Sequence, residues 1–255
     1  MSTTSGTKYT ELFRIRTSEI NPDKVVHPHA LISLMQEASM QHTISMKVSV
    51  WDLTAISGSW VLLRMQVKFI RYPGLNDTLR IETYPSGLEG YFTYRDFLAY
   101  DEDDRLCATI SSMWTMMNTE TRKMMKIPYE YDRLIYSGAI PLEKPDFKVK
   151  PITDLPDPIQ VRINYFHLDW NGHINNVRLI NILLETLETD LVSNHQLLSL
   201  NIQYKNEVGL DEEVLVYHST TDALTRVHLI RHKDTGQDII LAESVWTKNN
   251  YTKRK

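Results

Sequence analysis

The stretch Asp169-Trp170-Asn171-Gly172-His173-Ile174-Asn175-Asn176 places a carboxylate, an amide and an imidazole at every second position. Alternate residues of an extended segment point the same way, so the spacing predicts that Asp169, Asn171 and His173 face one cavity. There the three groups can bind, polarise and exchange protons. A helical pattern follows at once, with Ile180, Leu183, Leu184 and Leu187 at the i, i+3, i+4, i+7 spacing of one buried face. The N–H groups of its first turn should lie beside the polar cluster. Unpaired amide donors at a helix start favour negative charge, which suits a reaction passing through an oxyanion.

The elements that must position this cluster occur twice in the chain. In the first half, Leu31, Leu34, Met35 and Ala38 form a matching helical stripe, and Ile32 to Glu37 resembles Ile180 to Glu185. Gln66-Val67-Lys68-Phe69 with Gly74-Leu75 lines up without a gap on Asn201-Ile202-Gln203-Tyr204 with Gly209-Leu210. A later strand repeats too, Ala108 to Trp114-Thr115 echoing Ala242 to Trp246-Thr247, with Ser112 and Ser244 at the same distance before the Trp. Three matches in one order argue for a duplicated unit. The first copy is chemically duller. His27 and His29 stand at its helix start, but Val25 and Val26 replace the polar alternation, so these histidines read as structural.

Each unit reads as strand, long helix, then strands of alternating apolar residues, as in Leu79 to Thr83 and Val214 to His218. That is an α+β pattern in which a helix of four turns buries its stripe against the concave face of an antiparallel sheet. Between the copies, the stretch from Pro141 to Pro158 holds five of the ten prolines. That density excludes helix and central strand and predicts an extended linker. The expected organisation is a first unit over residues 1–138, a linker over 139–158 and a second unit over 159–255.

Composition narrows the functional classes. A length of 255 residues suffices for two domains with real cores. A formal net charge of -4 gives no general attraction to nucleic acid. One cysteine, Cys107, forms no internal disulfide and builds no thiolate metal site alone, which points to a reducing, cytoplasmic setting. No His, Cys and carboxylate cluster has ligand spacing and no glycine-rich loop follows a strand, so neither metal nor organic cofactor is expected. The polar residues Met1 to Lys8 do not read as a signal peptide, and no run approaches a membrane span.

Taken together, Asp169-x-Asn171-x-His173-x-Asn175-Asn176, the second signature Tyr204-Lys205-Asn206-Glu207 and the stretch Trp114 to Lys123 resemble the acyl-(acyl carrier protein) thioesterases of bacteria and plants. The likeness covers nearly the whole chain. It implies a double hotdog fold, an acyl chain housed mainly in the N-terminal hotdog, and catalytic residues in the C-terminal one. It further implies hydrolysis of acyl-(acyl carrier protein) to free fatty acid, ending fatty acid synthesis. The family's catalytic set falls on Asp169, Asn171, His173 and Glu207. Val208 stands where some members carry a cysteine after the glutamate, so a thiol mechanism is closed at that position. Trp170, Gly172 and Leu179 also depart from the usual pattern, which bears on pocket shape.

The chemistry of such a site can be reasoned from its groups. Water attacks a thioester carbonyl when something takes a proton and something holds the oxyanion. Glu207 or His173 suits the first task. Asn171, with backbone N–H groups near Gly172 and the helix start, suits the second. Asp169 could orient His173 or the Asn171 amide, or attack the thioester itself to form an anhydride. An acidic carrier calls for a locally basic face, with Arg122, Lys123, Lys126, Arg71, Lys205 and Arg178 as candidates. Met65, Trp60 and Phe69 are candidates for the tunnel floor, and the Met116-Met117 and Met124-Met125 pairs suit tunnel lining and core packing alike. Three alternatives stay open: a thioesterase for coenzyme A esters, a hotdog dehydratase or hydratase, and a non-catalytic acyl-binding module. The duplication supplies within one chain what single hotdogs obtain by dimerising, and leaves homo-oligomers open.

Overall fold

In the computed structural model, which describes residues 6–145 and 148–249, the chain divides into two units, Met1–Asp146 and Phe147–Lys255. The first unit runs β1 (Tyr9–Arg14), α1 (Pro28–Ser45), a short α2 (Val50–Leu53), β2 (Gly58–Phe69), β3 (Thr78–Glu89), β4 (Phe92–Tyr100), β5 (Leu106–Asn118) and a two-residue β6 (Met124–Met125). Its antiparallel sheet has the order β1-β3-β4-β5-β2, with β6 added to β5. Pro28 opens α1, where its missing N–H and fixed φ fit the first turn. The expected stripe of Leu31, Leu34, Met35 and Ala38 is buried. Ile32, on another face, is buried as well, so apolar groups surround the helix on more than one side.

Beneath the last turn of α1 the core is polar. The buried Arg95 guanidinium on β4 lies 3.1 Å from His42 Nδ1 and donates to Thr83 Oγ1 at 3.2 Å. His42 Nε2 meets Thr7 Oγ1 at 3.2 Å, and the ring stacks on Tyr9. An imidazole facing a guanidinium cannot also carry a charge at low cost. Burial, with Arg95 adding to it, pushes His42 down to about 3.

The second unit repeats the plan with β7 (Ile159–Arg162), α3 (Asn176–Glu185), α4 (Thr189–Asn194), β8 (His195–Tyr204), β9 (Glu213–Asp222), β10 (Thr225–His232) and β11 (Asp238–Lys248). Its strand order, β7-β9-β10-β11-β8, is the same permutation as in the first unit. Both are hotdog units, and the chain is α+β with two of them in tandem. The matched Ser and Trp of the two copies make the same contact, since the indole N–H of Trp114 donates to Ser112 Oγ and that of Trp246 to Ser244 Oγ, each at 2.8 Å.

The second helix departs from the expected four turns. α3 spans ten residues. The Thr186 hydroxyl bonds back to the carbonyls of Ile182 and Leu183, ending the helix before Leu187, which is buried beyond it. Thr186 Oγ1 also reaches His218 Nε2 at 2.8 Å; His218 Nδ1 meets His228 Nδ1 at 2.8 Å, and His228 Nε2 meets Ser244 Oγ at 2.8 Å. This chain of contacts fixes which face of the sheet carries α3. On the other face Tyr217, Val227, Leu229 and Leu241 pack with Val149 and Ile152. The proline-rich segment is therefore held on the sheets, with Val149 in the second unit and with Ile140 bonded to the Tyr84 hydroxyl in the first. No helix or strand occurs from 136 to 158 among the described residues.

Candidate active site

All four nominated residues lie in the second unit. The loop that carries three of them is not extended. Leu168 and Ile174 form a bridge, Asp169 N–H donates to His173 O at 2.9 Å, and Gly172 N–H donates to Asp169 O at 3.1 Å. Asp169 Oδ1 accepts the backbone N–H of Asn171 at 2.8 Å, a side chain imitating the turn it caps. The expected alternation therefore fails, because Asp and Asn bond to their own backbone more readily than they extend. Gly172 takes a φ of +76°, where a side chain would be strained.

The turn achieves by another route what the spacing suggested for two of the three groups. Asn171 Nδ2 donates to His173 Nδ1 at 3.1 Å. With the amide so oriented, the proton of the neutral imidazole sits on Nε2, which faces Glu207 Oε2 at 3.6 Å. Glu207 comes from the segment after β8. It is aligned because Ile174 N–H donates to Val208 O at 3.0 Å, tying the residue after His173 to the residue after Glu207. The His173 and Glu207 side chains are 38% and 35% exposed, so water reaches both. Asp169 is directed elsewhere, to the Asn171 backbone.

Two expected oxyanion donors are already engaged. The N–H of Gly172 closes the turn, and the N–H of Val177, in the first turn of α3, is capped by Asn175 Oδ1 at 2.8 Å. Asn171 is left as the side-chain donor of the original set. Sequence reasoning passed over Tyr204 except as part of a motif, yet its hydroxyl is buried with no hydrogen-bond partner among the described residues. Nothing in periodicity signals this, since a tyrosine ending a strand reads as packing. Of the proposed docking cations, Lys205 is paired with Asp238 at 3.1 Å and Arg178 is exposed on α3. Of the proposed tunnel residues, Met65, Phe69 and Met116 are buried in the first unit, whereas Met124 is exposed.

The first unit carries the same loop skeleton without the chemistry. Ile20 and Val26 form the bridge, Asn21 N–H donates to Val25 O at 2.8 Å, Lys24 N–H donates to Asn21 O at 2.9 Å, and Asn21 Oδ1 accepts from Asp23 N–H at 3.0 Å. Val26 N–H donates to Pro73 O at 2.8 Å, as Ile174 does to Val208. Position by position, Asn21, Asp23, Val25 and Tyr72 stand where Asp169, Asn171, His173 and Glu207 stand in the second unit. His27 falls at the capping position of Asn175 and stacks on His29 at 5.1 Å between ring centres.

The chain matches the acyl-ACP thioesterase N-terminal domain over residues 6–135 and the acyl-ACP thioesterase C-terminal domain over residues 154–248. It is 26% identical to oleoyl-acyl carrier protein thioesterase 1, chloroplastic, of Arabidopsis thaliana, covering 96% of this chain and 78% of that one. It is 28% identical to a chloroplastic acyl-[acyl-carrier-protein] hydrolase of Cuphea viscosissima, covering 96% of this chain and 64% of that one. In fold it is similar to the 12:0-ACP thioesterase from Umbellularia californica, with a TM-score of 0.87 at 22% identity over 95% of this chain and 98% of that one. An acyl-ACP thioesterase from Bacteroides thetaiotaomicron superposes with a TM-score of 0.85 at 18% identity, over 94% and 98% of the two chains. Two hotdog units with one polar loop array define a thioesterase-type scaffold. The chain belongs to the acyl-ACP thioesterase family.

Proposed function

We propose that this protein hydrolyses the thioester of acyl-(acyl carrier protein), releasing a free fatty acid and the carrier thiol. The observation that carries the reading is the Asn171–His173–Glu207 array, assembled where one turn meets the segment after β8, in a chain that matches this family along most of its length. Because Asn171 occupies Nδ1 and the Nε2 proton faces Glu207, the imidazole orients the carboxylate and Glu207 is the base. Water attacks the carbonyl carbon, Glu207 takes its proton, and the carbonyl π electrons move onto oxygen, where the Asn171 amide donates a hydrogen bond. The oxyanion then collapses, the C–S bond breaks, and the thiolate takes the proton back from Glu207. Asp169 positions Asn171.

The first unit houses the acyl chain in this reading, and an acidic carrier docks on basic side chains that include Arg178. Water is the only co-reactant. A reducing, cytoplasmic setting suits the single thiol, Cys107, which is buried and free. Among the described residues no helix is long and apolar enough to cross a membrane.

The test is thiol release and fatty acid formation from acyl-(acyl carrier protein) of graded chain length, with acyl-coenzyme A esters in parallel. A fall of about a hundredfold or more in both His173→Ala and Glu207→Gln supports the mechanism. Tight acyl binding with no thiol release by the wild type would replace it with a binding module.

A further inference from the structure

Leu200, Ile202 and Tyr204 share one face of β8, opposite Ser244, Ala242 and Ile240 of β11. Ser244 is linked through His228 and His218 to Thr186, just past the end of α3, so this is the face that α3 covers. The start of α3 is fixed at the other end of the sheet, where Ile174 N–H reaches Val208 O. Tyr204 therefore lies on that face, at the end of the unit that holds His173 and Glu207. Only two residues separate Tyr204 from Glu207, a span of at most about 11 Å.

The Tyr204 hydroxyl is buried there without a hydrogen-bond partner among the described residues. A buried donor left unmade is costly and calls for a function or a ligand. Burial also pushes its phenol well above the ordinary range, so the group keeps its proton and acts as a donor. Two backbone N–H groups expected to serve an oxyanion are engaged in the turn and the helix cap. A thioester brings its carbonyl oxygen into the core along with its own apolar chain.

We propose that the Tyr204 hydroxyl donates a hydrogen bond to the thioester carbonyl oxygen as it becomes the oxyanion, alongside the Asn171 amide. The proton stays on the phenol, and no bond of the tyrosine is made or broken. The assignment rests on the hydrolase reading and adds a catalytic residue to it.

Tyr204→Phe in the full chain tests it against acyl-(acyl carrier protein). The expected result is a kcat lower by about 10²- to 10³-fold, as for loss of one oxyanion donor, with KM and Tm held or Tm raised, since no protein hydrogen bond is lost. In a Glu207→Gln background, which binds without turnover, the carbonyl stretch of bound thioester should sit at lower frequency with Tyr204 than with Phe at that position. Unchanged kcat with a wild type that hydrolyses overturns the proposal alone. So does a loss of rate accompanied by a fall in Tm and an unmoved carbonyl band, which makes the hydroxyl structural. A wild type that releases no thiol overturns the hydrolase reading as well.

Discussion

Val25 occupies in the first unit the place that His173 occupies in the second. Each precedes the residue whose N–H ties its loop to a distant carbonyl, Pro73 O for Val26 and Val208 O for Ile174. Val25 is 3% exposed and the His173 side chain is 38% exposed, so one copy of the turn is core and the other has access to water. Truncating each should separate the roles. Val25→Ala should lower stability by about 2 kcal/mol through a lost pair of methyl groups and the cavity left behind, with kcat retained. His173→Ala should do the reverse. Denaturant unfolding and thiol release on the same samples check both.

In the proposed mechanism Asp169, bonded to the Asn171 backbone, is a positioning residue. Asparagine retains the accepting oxygen and alanine does not. Asp169→Asn should therefore keep kcat within about tenfold of wild type while Asp169→Ala falls by 10² or more. If Asp169 were the nucleophile, both variants would lose activity equally, and steady-state rates decide the matter.

Gly172 and Lys24 hold matching left-handed positions in the two turns, at φ +76° and +63°. Gly172→Ala should destabilise the chain by about 1–2 kcal/mol and slow hydrolysis, because a side chain in this region is strained. Lys24→Gly should stabilise it by about 0.5–1 kcal/mol by relieving the same strain. Opposite signs in urea midpoints are the expected outcome.

Stability should fall as pH drops from about 6.5 toward 3. His42 is neutral in the fold, held down to about 3, and takes a proton in the unfolded chain below its ordinary value of 6.5. His228 and His218 are shifted in the same direction, chiefly by burial. The unfolded state then binds more protons than the native one in this window, and His42 alone removes about 1.4 kcal/mol per pH unit. Unfolding free energies measured from pH 7 to 4 should show this slope, and His42→Gln should reduce it by about one proton's share.

Cys107 should be silent. Burial, reinforced by Asp101, pushes its thiol up to about 11, leaving little thiolate at neutral pH. Native protein should resist thiol reagents until unfolded, and Cys107→Ala should hydrolyse thioesters at the wild-type rate.

The sequence by itself determined the architecture, because periodicity and repetition are local properties. The stripe Leu31–Leu34–Met35–Ala38 could be buried only against a sheet, and the Ser and Trp pairs at 112/114 and 244/246 mark one strand copied twice. The candidate site was legible as a motif, in Asp169, Asn171, His173 and Glu207. Only the tertiary structure decided their geometry. Whether Asp169 extends or folds onto the Asn171 N–H depends on a competition between bonds of similar strength, and the Ile174 to Val208 contact settles it from 34 residues away. Likewise the short α3 and the buried Tyr204 hydroxyl, which has no partner among the described residues, follow from which groups meet across the sheet, and spacing along a chain does not record what lies opposite.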